Sequence, residues 1–159
     1  MFETFNTVES SIFIVELAPP HERLMIQFVP DEINMPRTAE GGSFTVVGRN
    51  HKKFHYTSGS EPLNMELQFF ADDDKREDVK KAIDWLKSLT MNDGTNAKFR
   101  NVKIIMGKMF EDEIFRVVSV SPVMSNFDSA HDWLPLQARV NIVMELDPQK
   151  NMTIKDRRK

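Results

Sequence analysis

The chain has no cysteine among its 159 residues. Disulfides, thiol nucleophiles and thiolate metal sites are therefore outside its chemistry. Tyrosine occurs once and tryptophan twice, whereas phenylalanine reaches 12 and methionine 10. Such a set points to a packed core or dry contact surfaces rather than a wet recognition loop. Nowhere does the sequence approach the roughly 18 consecutive apolar residues of a membrane-spanning helix. Met1-Phe2-Glu3-Thr4-Phe5 lacks a basic stretch followed by an apolar one, so no secretory signal is expected. An excess of one charge is also missing: 21 Lys+Arg stand against 24 Asp+Glu, a net charge of -3 with neutral histidine. This balance argues against a dedicated nucleic-acid binder, whose footprint is basic.

What is present suits one soluble domain. A mass of 18.4 kDa, 40% hydrophobic and 28% charged residues allow a core without covalent staples. Residues 1–149 are read as that domain and the basic segment 150–159, with five Lys or Arg and one Asp, as a solvated tail.

Hydrophobic periodicity predicts a mainly β chain with one helix. Residues 10–17 and 24–28 read as two strands around the Pro19-Pro20 turn, hence a hairpin. Residues 31–43, with Pro36, Gly41 and Gly42, read as an irregular connection, followed by short strands at 44–48 and 52–57. Leu63, Met65, Leu67 and Phe69 alternate with Asn64, Glu66 and Gln68 in a half-buried strand. Asp72-Asp73-Asp74 opens a helix to about Thr90, with Val79, Ala82, Ile83, Leu86 and Leu89 as its apolar stripe. Asn92-Asp93-Gly94 supplies the stop. Strands follow at 102–106 and 113–121, the latter apolar on both faces. In the last strand, 134–146, Leu134, Leu136, Ala138, Val140, Ile142, Met144 and Leu146 alternate with mostly polar partners. About seven strands interrupted by a single helix exclude a βαβ fold and favour an antiparallel sandwich or barrel with a helix on one flank.

Catalytic and metal motifs are incomplete. His21-Glu22 begins like a metalloprotease helix, but Met25 stands where the second histidine belongs. His51 and His55 have the spacing of a helical zinc pair, yet on a strand four residues span ~13 Å. Asp72-Asp73-Asp74 lacks the pattern and distal Glu of a calcium loop. Ser119, Ser121, Ser125 and Ser129 stand near His131 and Asp132 without a Gly-x-Ser-x-Gly elbow. No glycine-rich phosphate loop or dinucleotide fingerprint occurs, so no catalytic residue, metal or cofactor is expected.

The order of segments resembles a known family. The residues that carry the resemblance are Phe28-Val29-Pro30-Asp31-Glu32-Ile33 after a strand, then Gly59-Ser60-Glu61-Pro62-Leu63, and the Asp-rich helix. They continue with Met106-Gly107, Phe115-Arg116-Val117-Val118, and Leu134-Pro135-Leu136-Gln137-Ala138 without the family's preceding glycine. Over residues 11–147 this series is similar to the tube-like domain of contractile injection machines, the phage and pyocin tail-tube initiators and baseplate hub adaptors. The resemblance does not extend to the LysM module of many relatives.

The resemblance implies a tail-tube type antiparallel β-barrel or sandwich that forms a homo-hexameric ring. Such a ring is a virion component, assembled in the host cytoplasm, that joins the baseplate hub and spike to the tail tube and templates tube assembly. Its implied partners are further copies of itself, the tail-tube protein, the hub, spike and baseplate proteins, and DNA only in passage. No membrane partner is implied. Two polar strand faces are candidates for lining the channel or an interface: Gln137, Arg139, Asn141 and Glu145, or Asn64, Glu66 and Gln68. The rival readings are the main tail-tube subunit, a tail-associated cell-wall hydrolase and a small ligand-binding β-barrel.

Overall fold

The computed structural model describes residues 12–45, 47, 52–56, 59–91 and 100–147. Nine strands are formed among these: β1 (Phe13–Glu16), β2 (Arg23–Met25), β3 (Ile33–Asn34), β4 (Gly41–Thr45), β5 (Lys52–Tyr56), β6 (Pro62–Phe70), β7 (Asn101–Ile105), β8 (Ile114–Phe127) and β9 (Pro135–Leu146). One α-helix, α1 (Arg76–Ser88), follows a 3-10 turn at Asp73–Lys75. Seven strands make one antiparallel sheet in the order β2-β1-β7-β8-β9-β6-β3, while β4 and β5 pair as a separate hairpin. The chain is therefore mainly β with one helix, as the periodicity predicts, and β1 and β2 form the expected hairpin.

The sheet is not closed by a backbone ladder: β2 and β3 are its two edges. Only residues 26–32 join these edges in the chain, which at ~3.5 Å per residue bounds how far apart they can lie. Gln27, nearly fully buried, reaches from this connection to β6 and bonds both backbone groups of Phe70.

The core lies on one face of β6, β9 and β8. Leu63, Met65, Leu67 and Phe69 stand opposite Met144, Ile142, Val140 and Ala138, and all eight are buried. Burying each of the larger ones is worth about 1.5–3 kcal/mol. Helix α1 covers this face chiefly over β9, inserting Val79, Ala82, Ile83 and Leu86. Trp85 Nε1 donates to Glu22 Oε2 at 2.8 Å and ties the helix to the β1–β2 turn. Asp73, Asp74, Glu77 and Asp78 occupy the first turns, where negative charge opposes the helix dipole.

Several expected boundaries move. Residues 31–43 are not wholly irregular, because Ile33–Asn34 pairs with Met65 and Asn64 as β3 and β4 begins at Gly41. β2 ends at Met25, where the connection to β3 departs. β8 runs to Phe127, six residues beyond the predicted end at Ser121. It is apolar on both faces for a specific reason. A bulge lies between Val117 and Ser119, so Val117 faces the core, Val118 is left 52% exposed, and Val120 packs on the core again. The expected helix stop at Asn92-Asp93-Gly94, the residues before Ile12 and the tail at 150–159 lie outside the described residues.

Candidate functional site

Opposite the core, the same three strands present a polar face. Because side chains alternate across a strand, every second residue of β6, β9 and β8 lies on it. The ladder aligns these residues in rows: Asn64, Val143 and Ser119; Glu66, Asn141 and Ser121; Gln68, Arg139 and Val123; Phe70, Gln137 and Ser125. A further row pairs Pro62, Glu145 and Arg116. The two sets of candidate residues, which the sequence offers as alternative faces, thus occupy one continuous surface. All seven (Asn64, Glu66, Gln68, Gln137, Arg139, Asn141 and Glu145) are exposed or half-buried.

The side chains on this face bond weakly to one another. Gln68 Nε2 donates to Glu66 Oε1 at 3.4 Å, and Asn126 Nδ2 donates to Gln137 Oε1 at 3.5 Å. Glu145 is paired with Arg116 across the β8–β9 ladder. Among the described residues Arg139 has no ion-pair partner, and it lies one row from Glu66. The face is close to neutral, since Arg139 and Arg116 balance Glu66 and Glu145. The β8 members Arg116, Ser119, Ser121, Val123 and Ser125 escape the sequence reading. Their signal is the alternation of Ser119, Ser121, Val123 and Ser125 with Val120, Pro122 and Met124, which extends β8 past Ser121.

At the end of the sheet where β8 leads into β9, α1 meets the β8–β9 connection around an open cavity of about 340 Å³. Its lining includes Asp73, Arg76, Asp78, His131 and Asp132. The Arg76 guanidinium is buried, and each of its three nitrogens donates a hydrogen bond. Nε and Nη2 donate to Asp73 Oδ1 at 3.1 and 2.6 Å, and Nη1 donates to the carbonyls of Asn126 and Leu134 at 3.0 and 3.1 Å. Asp128 accepts from the Ala130 N–H at 3.0 Å and contacts His131 Nδ1 at 3.0 Å. The Ala130 bond first, and His131 second, hold the Asp128 carboxyl below its ordinary range. These bonds pin a loop in place; none of them joins His131 to a serine hydroxyl.

The remaining chemistry-bearing residues are dispersed. His21 sits in the β1–β2 turn with φ 59° and is exposed, and its N–H donates to the Ala18 carbonyl. His55 falls on β5, and His51 lies outside the described residues. Among the described residues no three His, Asp or Glu groups converge to hold a metal ion. No helix among them is long and apolar enough to cross a membrane.

No protein-family model matches this chain, and no curated protein matches it in sequence.

Proposed function

We propose that the protein is a structural subunit of a contractile injection particle. In this reading six copies form a ring whose β6–β9–β8 faces line an axial channel. The ring joins the baseplate hub and spike to the tail tube and templates its assembly.

One observation carries the reading. Three long antiparallel strands expose a largely polar, nearly neutral face of serine, amide and balanced ionic side chains, interrupted by Val123, Val143 and Phe70 and backed by an apolar core under one helix. A channel wall must pass cargo without holding it. A face whose charges cancel creates no strong field to trap a polyanion. The resemblance of the segment order to tube-like domains supplies the sixfold closure and the place in the particle. Identical subunits meeting through heterologous contacts close into a ring when the rotation allows.

Electron microscopy of the intact particle tests this. The expected result is a ring on the particle axis with Glu66, Arg139 and Asn141 facing the lumen. A lone copy on the periphery, or a ring whose helices face the channel, would overturn it.

A further inference from the structure

The side of the sheet away from the core changes character across β8. On β8, β9 and β6 it is largely polar; on β2, β1 and β7 it is apolar. Ile14, Leu24 and Ile104 point into the core, each no more than 1% exposed, so their strand neighbours lie on the opposite face. The ladder sets Met25, Phe13 and Ile105 side by side in one row, and Arg23, Val15 and Lys103 in the next. Hydrogen-bonded strands stand about 4.8 Å apart, so these six residues form one continuous patch. Ile105 is 44% exposed, and Phe13 and Val15 are half-buried. Met25, on the edge strand, also packs on the core.

Two cations frame the patch, and neither row holds a carboxylate. The Arg23 guanidinium lies over the Phe13 ring, 5.1 Å from its centroid. Lys103 has no ion-pair partner among the described residues. Residues 1–11 precede β1 and lie outside the described residues. They carry Met1, Phe2, Phe5 and Val8, two acids in Glu3 and Glu9, and no Lys or Arg. This composition complements the patch in both apolarity and charge. The segment also starts beside it. Ile12 directly precedes Phe13, and its carbonyl accepts from the Ile26 N–H at 2.9 Å, which fixes the point of departure. Eleven extended residues reach about 36–40 Å, several times the width of three strands.

We infer that residues 1–11 fold back over this apolar half of the sheet, seating their phenylalanines on the Phe13–Ile105 row and their acids toward Arg23 and Lys103. The size of the patch favours a tethered occupant over a separate one. Its four apolar side chains are each at most 44% exposed and none exceeds an aromatic's 150–250 Å², so together they offer at most about 400 Å². A stable complex takes about 800 Å² per partner. A covalent link raises the effective concentration into the millimolar range, so a contact too small to hold a free partner suffices in the same chain. The inference goes beyond the ring and does not rest on it, because the patch lies on strands other than β6, β9 and β8.

The absence of cysteine gives a clean test on the whole protein. A nitroxide on Thr4→Cys should broaden the amide signals of Lys103 and Ile105 and leave those of Ser125 and Gln137, at the far end of β8 and β9, sharp. Phe5→Glu in the same labelled protein should lower the docked-to-free ratio at least about tenfold and sharpen the Lys103 and Ile105 signals again. A chain that is tethered but not docked would broaden them equally with or without that change. Mixing nitroxide-labelled protein with unlabelled ¹⁵N protein identifies the occupant: the ¹⁵N signals should stay sharp. Broadening that passes between chains would place a second copy's segment on the patch and overturn the inference. Lys103 and Ile105 signals that stay sharp in the labelled chain, or broadening that ignores Phe5→Glu, would do the same. None of these readouts depends on whether the ring forms, so the two readings fail separately.

Discussion

The side-chain amide of Gln27 bonds Phe70 as a neighbouring strand residue would. Its Oε1 accepts from the Phe70 N–H at 2.7 Å, and its Nε2 donates to the Phe70 carbonyl at 2.9 Å. A single side chain therefore continues the hydrogen bonding of β6 where the short β3 leaves off, across the gap between the sheet edges.

Replacing Gln27 by Leu should cost about 1–3 kcal/mol, because both Phe70 groups lose a buried partner. Gln27→Glu tests the same pair by pH. A buried carboxylate against the Phe70 carbonyl has its pKa raised above the unfolded value. The folded variant then binds the extra proton, so its stability should be best at acid pH and fall as pH rises from about 4 upward. Urea melts across pH check the sign, and the parent should lack this trend.

The register of β9 separates two adjacent residues. Val140 is fully buried against Leu67, whereas Asn141 is exposed beside Glu66. Val140→Asp should lose more than about 3 kcal/mol by burying an unpaired charge. Asn141→Asp should stay within about 0.5 kcal/mol, with Glu66 adding a small repulsion. Equal melting temperatures would contradict the register.

Arg76→Met leaves the carbonyls of Asn126, near the end of β8, and of Leu134, in the β8–β9 connection, without their donor. The expected loss is about 2–4 kcal/mol, since the bonds are charge-assisted and buried. Amide hydrogen exchange at Trp133 and Leu134 should accelerate more than in the core of β9. Arg76→Lys should not restore protection, because one ammonium lacks the fork that reaches Asp73, Asn126 and Leu134 together.

Asp128 sets an acid limb. Its carboxyl is held below its ordinary value, so its stabilising contribution is present above the unfolded value of 3.8 and is lost as pH falls through the lower folded value. Asp128→Asn should lower stability near neutrality, where the carboxylate contributes, and flatten the fall of the profile below about pH 4. Denaturant midpoints measured down the acid limb decide this.

The strands that alternate cleanly were legible in the sequence, and so was the amphipathic helix. In Leu63–Phe69 and Ala138–Met144 every apolar side chain except Val143 falls on one face, and the structure keeps those assignments. The seven polar candidates were legible for the same reason, but not that their two strands are neighbours, because pairing partners leave no local mark. Arg76 was the larger omission. An arginine near an acidic helix start reads as a solvated charge, and only the folded chain brings the Asn126 and Leu134 carbonyls to it. β8 was cut short because Ser119-Val120-Ser121-Pro122 mixes weak strand formers with a proline, and its continuation depends on pairing with β9.

The bulge in β8 has a consequence for the length of the strand. Val118 is the residue by which β8 exceeds β9 between the pairs Val117↔Met144 and Ser119↔Val143. Deleting it would bring Val117 and Ser119 into plain alternation and leave every other side chain on its present face. Deleting any residue of β6 or β9 within the ladder would instead turn the remainder of that strand inside out. Val118 is thus the point in β8 where the ladder tolerates a change of length by one residue without turning any other side chain to the opposite face.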